Sequence, residues 1–221
     1  IVVRNFAEPD IDMQLDADFD IPFVVGFLNL EDIEDAKGTV EMQLKFHDVI
    51  DLENPEKALN ELNQAYFAEL KIDDLTFNSS GLAAPLKDLD AHLEMNGKKA
   101  QLDKFNLEMG NSQLSITGFL SDLPAIVHHT PPPVNAHLEI KSNVLDIAEL
   151  TDYSEKDSTG FDERIENLNL AFSFNALGNA FTEYKHLPIG EFYIDDLYAD
   201  LKHYPHTLHD FHADVLVKDD D

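Results

Sequence analysis

Two aspartate pairs, a serine after a glycine turn and a run of histidines are the residues of this chain equipped for chemistry. Asp73-Asp74 lies in Glu69-Leu70-Lys71-Ile72-Asp73-Asp74-Leu75-Thr76-Phe77, and the pattern returns as Glu191-Phe192-Tyr193-Ile194-Asp195-Asp196-Leu197-Tyr198-Ala199. Paired carboxylates suit acid–base work or calcium, but neighbours on a strand point to opposite faces and do not share a site. His203, His206, His209 and His212 recur at every third position. That spacing suits a metal on a helix face. Tyr204-Pro205 and the alternation that begins at Phe211 favour a turn followed by a strand, where His209 and His212 diverge. Ser112 follows Gly110-Asn111 without the strand–Gly-x-Ser-x-Gly–helix context of a hydrolase nucleophile. Asp219-Asp220-Asp221 reads as an acidic terminus. No glycine loop of the phosphate-cradling type is present. The reading is non-enzymatic, with no cofactor expected.

The elements that carry these residues read as strands. Ile11, Met13, Leu15, Ala17, Phe19 and Ile21 alternate with Asp12, Gln14, Asp16, Asp18 and Asp20, the period of a half-buried strand. Val40, Met42, Leu44 and Phe46 alternate with Glu41, Gln43, Lys45 and His47. At each aspartate pair the alternation slips by one residue: Leu70 and Ile72 give way to Leu75 and Phe77, and Ile194 to Leu197 and Ala199. A slip turns every later side chain over unless the strand bulges or bends there, so a bend is expected at both pairs. A further slip falls between Leu102 and Phe105. Asn96-Gly97 and Gly110-Asn111 are hairpin turns by composition. Asn54-Pro55-Glu56 opens the strongest helix candidate, with Ala58, Leu59, Leu62, Ala65 and Tyr66 on one face. Pro22 to Leu30 reads as one helical turn or a buried loop.

The order of features repeats. His128 to Pro133 interrupts the meander, after which Ala136, Leu138 and Ile140 restart it. Leu168, Leu170, Phe172 and Phe174 then match Val40, Met42, Leu44 and Phe46. Phe181 to Leu187 occupies the place of the Pro55 helix. This divides the chain into a first β unit, 1–126, and a second, truncated one, 127–221. The expected fold is mainly β: an antiparallel meander forming a curved sheet or open groove with one apolar face and one or two short helices. A closed β-sandwich is the alternative. The stripe Val40, Met42, Leu44, Phe46, Leu168, Leu170, Phe172 and Phe174 is either sandwich core or a lipid-facing surface.

Composition limits the partners. The 221 residues hold 44 Asp and Glu against 15 Lys and Arg, for a formal net charge of −29, which repels nucleic acid. With no cysteine there is no disulfide framework. A hydrophobic fraction of 43% is ample for a packed core. No apolar run is long enough to span a bilayer, and the chain reads as a piece of a longer protein, so that a membrane anchor, if the protein has one, is expected outside it.

Residues 101–123, Gln101-Leu102-Asp103-Lys104-Phe105-Asn106-Leu107-Glu108-Met109-Gly110-Asn111-Ser112-Gln113-Leu114-Ser115-Ile116-Thr117-Gly118-Phe119-Leu120-Ser121-Asp122-Leu123, resemble the recurring unit of the AsmA family. Leu138-Glu139-Ile140-Lys141-Ser142-Asn143-Val144-Leu145-Asp146-Ile147-Ala148-Glu149-Leu150 is similar to the step that follows it there. The resemblance implies a long envelope protein of Gram-negative bacteria, tethered to the inner membrane with a periplasmic body. It further implies a β groove that carries lipid between membranes or supports outer-membrane assembly. Phospholipid acyl chains and other envelope proteins are the partners expected on that basis. The competing expectation is an acidic interaction module that binds a protein or calcium.

Overall fold

A computed structural model describes residues 2–4, 10–49, 66–127, 129–151, 163–181 and 188–218. Eleven strands form one antiparallel sheet in which spatial order equals sequence order. They are β1 (Val2–Arg4), β2 (Asp10–Asp20), β3 (Ile33–Val49), β4 (Tyr66–Ser79), β5 (Leu86–Asn96) and β6 (Lys99–Met109), followed by β7 (Ser112–Leu120), β8 (Pro133–Asp146), β9 (Arg164–Leu177), β10 (Gly190–Leu201) and β11 (Ala213–Val217). Among the described residues three short helices interrupt the meander: α1 (Ile21–Leu28), α2 (Leu123–Val127) and α3 (Ile147–Thr151). A 3-10 turn covers Gly178–Ala180. The sheet is curved and does not close. The open meander is therefore the architecture adopted, and no second sheet forms a sandwich with it among the described residues.

Both aspartate pairs are bulges, as the slips in alternation require. In β4, Thr39 faces Asp73 but Lys37 faces Thr76, so β4 carries one residue more than β3 over this step. Asp74 takes the extra turn at φ 52°, and Gly38 makes room for it. A Cβ on Gly38 would lie 2.8 Å from the carbonyl oxygens of both Asp73 and Asp74. In β10, Ile194 faces Phe172 and Asp196 faces Ala171, leaving Asp195 as the extra residue. The slip after Leu102 is a third bulge: His92 faces Lys104 while Leu93 faces Leu102. Each bulge does the same work. Regular pairing would turn Asp74, Lys104 and Asp196 onto the apolar face; the extra residue brings Leu75, Phe105 and Leu197 there instead.

The repeat extends further than the aspartate pairs. Asp35 in β3 and Asn167 in β9 both sit in the left-handed region, at φ 54° and 56°, at irregular steps of their ladders. A helix follows β2 and another follows β8, the strands whose alternations the sequence matches to one another. The boundary near residue 126 falls within α2, yet β7 and β8 pair across it from Ser115↔Lys141 to Leu120↔Ala136, so the two units share one sheet.

The hairpin turns form as read: Asn96 pairs with Lys99 around Gly97, and Met109 with Ser112 around Gly110-Asn111. The helix expected from Asn54 to Tyr66 lies outside the described residues, apart from Tyr66, which opens β4. Of the segment Phe181 to Leu187, only Phe181 is described. Pro22 to Leu30 is corrected: it forms two turns of helix rather than one, and it is exposed rather than buried. Asp20 accepts from the Phe23 amide at 3.4 Å, Pro22 stands in the first turn, and Asn29 ends the helix at φ 51°. No residue of α1 is buried, because no other layer reaches it.

Candidate functional site: an apolar face across the strands

Antiparallel residues paired across a ladder share a face. One unbroken row therefore begins with Ala17, Met42, Leu70, Leu93 and Leu102 on β2 to β6. It continues through Gly118, Leu138, Phe172, Ile194 and Ala213 on β7 to β11. All ten residues are half-buried. A parallel row runs Leu15, Leu44, Ala68, Met95 and Ala100, then Leu120, Ala136, Phe174, Phe192 and Val215. At the usual spacing between strands of about 4.8 Å, each row is on the order of 43 Å long. This apolar band runs across the strands, at right angles to the pattern visible in any one of them, while two hollows lined by Asp16, Asp18, Glu41 and Lys71 and by Asp88, Glu108, Gln113 and Lys141 open on the polar face.

Val40, Met42, Leu44, Leu168, Leu170, Phe172 and Phe174 all lie on this face; the backbone of Phe46 pairs with Met13 and Tyr66 at its margin. Their surroundings differ. Val40, Met42 and Leu44 are half-buried, whereas Leu168 is buried beneath α3. There Leu145, Leu168 and Ala199 form a small core with Ile147 and Leu150 of α3 over them. At the opposite ends of the strands α2 makes a second cover: Ala125 and Val134 are almost fully buried, and Ala136 and Ala176 nearly so. This end packs backbone to backbone, since a Cβ on Gly178 would lie 2.5 Å from the Ala125 carbonyl oxygen. Between the two covers, Phe172, Phe174 and Phe192 cluster with ring centroids 6.0–6.3 Å apart, and Phe181 adds a ring 5.4 Å from Phe174.

α3 is held by a carboxylate. Glu149 accepts from the Asn111 amide at 2.9 and 3.0 Å, the Ser112 amide at 3.0 Å, the Asn111 side chain at 2.8 Å and the Ser112 hydroxyl at 2.7 Å. The Ser112 hydroxyl in turn accepts from the Asp146 amide at 3.0 Å. Burial pushes the Glu149 carboxyl upward, but these donors outweigh it and hold the group below the usual range. Ser112 is thus a clasp between the β6–β7 turn and α3. Nothing in the local sequence links Glu149 to Ser112; their meeting is a product of the fold.

The outer face carries the acids. Asp90 accepts from Lys104 at 2.6 Å and from the freed amide of bulged Asp74 at 3.0 Å, which keeps its carboxyl below the usual range. Asp74, Asp88 and Asp90 each offer an oxygen within 4.8 Å of the others. Burial and then repulsion from Asp90 and Asp74 push Asp88 upward. Ser173 donates to Asp195 at 2.5 Å and meets His137 Nδ1 at 2.9 Å. Both the serine and the aspartate approach the same ring nitrogen, so the histidine does not stand between them as a nucleophilic relay requires. The histidine run does not converge. His203 pairs with Glu163 at 2.9 Å, His206 meets the Tyr204 ring, His209 faces Asp210, and no metal-type group among the described residues includes them. They occupy the irregular connection before β11, as the turn-then-strand reading has it, although the strand begins at Ala213 rather than Phe211.

No family model matches the chain, and neither the curated proteins nor the solved structures contain a match to it.

Proposed function

We propose that this chain is a non-enzymatic segment of an AsmA-like envelope protein whose apolar trough shields phospholipid acyl chains. In that role it serves lipid transport between membranes or outer-membrane biogenesis. The observation that carries the reading is the row from Ala17 to Ala213: ten strands in register, every member half-buried, with no second layer over its middle among the described residues. Apolar area left accessible on that scale stabilises whatever apolar ligand covers it, by roughly 0.8 kcal/mol per buried CH₂. The acidic outer face keeps the object in solution and opposes edge-to-edge association. The likeness of residues 101–123 and 138–150 to AsmA units supports the periplasmic setting, with tethering at the inner membrane. No helix among the described residues is long and apolar enough to cross a membrane.

The test is native mass spectrometry of the purified chain, followed by uptake of a pyrene-labelled fatty acid. Bound phospholipid and saturable uptake are expected, and Phe172→Glu with Ile194→Glu should abolish both while the circular dichroism spectrum stays that of a sheet. Absence of both lipid and uptake in the unaltered chain overturns the reading. A second reading, an acidic module that binds calcium or a basic protein, draws on the Asp74, Asp88 and Asp90 oxygens. Lys104 already supplies that trio with a positive charge. A calcium titration that leaves the melting temperature unchanged counts against this second reading.

A further inference from the structure

α1 carries Phe27 and Phe23, the two most exposed of the large apolar side chains among the described residues. Ile21-Pro22-Phe23-Val24-Val25-Gly26-Phe27-Leu28 contains no polar side chain, in a chain of which 27% is charged. Phe23 is 66% exposed, Phe27 77% and Leu28 57%. Phe23 and Phe27 stack with centroids 6.0 Å apart, so the two rings present one surface rather than folding back onto the sheet. Leu15 and Phe19 of β2, on the trough face, are also exposed. Apolar surface therefore runs from the trough into the helix without a polar break along that strand face.

The charges around this tip select what it meets. Asp20 caps the helix start, and Glu31, Asp32 and Glu34 follow its end; all four are exposed. No Lys or Arg lies between Arg4 and Lys37. A collar of carboxylates around an uncharged apolar tip repels an anionic membrane. It complements a bilayer whose outermost groups are ammonium, as in phosphatidylethanolamine and phosphatidylcholine. The rings reach the acyl boundary while the carboxylates stay at head-group level.

We infer that α1 is a membrane-docking tip that inserts Phe23, Phe27 and Leu28 into a bilayer rich in zwitterionic, ammonium-bearing lipid. The insertion itself does not depend on the trough binding lipid; only the further step, passage of an acyl chain along Phe19 and Leu15 into the trough, rests on the proposed function. The tip binds by apolar burial rather than by charge, so its affinity for zwitterionic vesicles changes little with added salt.

The chain contains no tryptophan, so Phe27→Trp gives a single reporter. Mixed phosphatidylethanolamine–phosphatidylcholine vesicles should shift its emission to the blue, and brominated lipid should quench it. Vesicles rich in phosphatidylglycerol should bind at least about tenfold more weakly at low salt. In flotation assays Phe23→Ser with Phe27→Ser should lower partitioning into zwitterionic vesicles by about a hundredfold. These side chains are exposed, so the circular dichroism spectrum and melting temperature should hold, as should uptake of monomeric pyrene-labelled fatty acid. Emission that ignores vesicles overturns the inference, as does tighter binding to phosphatidylglycerol. A blue shift that appears without vesicles and grows with protein concentration assigns the tip to a second copy of the chain and overturns it as well. Loss of fatty-acid uptake in the Phe172→Glu, Ile194→Glu variant, with vesicle binding intact, isolates failure of the trough from failure of the tip.

Discussion

Replacing Glu149 by glutamine tests whether the cover over the trough is held by charge. The substitution keeps the size of the side chain but removes the negative charge on which the Asn111 and Ser112 donors converge. It also turns an amide NH₂ toward groups that are themselves donors. Hydrogen bonds to a charged partner contribute about 1.5–3 kcal/mol, and the several made here share one carboxylate, so a loss of about 2–3 kcal/mol is expected. For a chain of this length that corresponds to a melting temperature lower by about 5–10 °C. The pH dependence gives the sign. The folded-state pKa of Glu149 is depressed, so its contribution is complete above the unfolded value of about 4.3 and is lost as pH falls through the folded value. Urea titrations followed by circular dichroism at pH 7, pH 5 and pH 3 measure it. The gap between the unaltered chain and the Glu149→Gln variant should be equal at pH 7 and pH 5 and should shrink at pH 3. Taking the difference cancels the titration of the other acidic groups. A gap below about 0.5 kcal/mol at pH 7, or one unchanged at pH 3, refutes the argument. Ser112→Ala should be non-additive with Glu149→Gln, with a coupling of about 1 kcal/mol or more in a double-mutant cycle.

Other outcomes follow from single positions. Gly118→Val should cost more than about 3 kcal/mol in denaturant titrations, because even a Cβ there would lie 2.2 Å from the His137 carbonyl oxygen. Ser142 is buried on the apolar face opposite Leu168, and its hydroxyl finds no partner among the described residues, so Ser142→Ala should raise stability by about 1 kcal/mol. Asp88→Asn should raise the melting temperature at neutral pH. The raised pKa of Asp88 means that its charge costs stability when ionised, and the advantage of the variant should fade as pH falls through that raised value. Gly38→Ala should destabilise the sheet by more than about 2 kcal/mol, since it closes the space into which the Asp73-Asp74 bulge fits.

The sequence by itself settled what is local. Alternation with period two named the strands, and its slips located the three steps, at Asp74, after Leu102 and at Asp195, that the ladders resolve as bulges. A bulge is legible because the cost of turning an aspartate or lysine onto the apolar face is already written in the order of residue types. The candidate stripe on β3 and β9 was legible for the same reason. What joins those two strands was not. Whether Met42 and Phe172 belong to one surface depends on the register of every ladder between them, and register is set by hairpin lengths and bulges acting together. The covers were equally hidden. Leu168 looks like Leu170 in sequence, yet α3 buries one and leaves the other half-buried, held in place by a glutamate far along the chain from the serine it binds. α1 shows the limit from the other side: the apolar segment from Pro22 to Leu30 reads as one helical turn or a buried loop, yet the fold lays one side of it along the sheet and leaves Phe23, Phe27 and Leu28 exposed. Burial is a property of what comes to lie over a residue, and among these strands only the tertiary structure decides that.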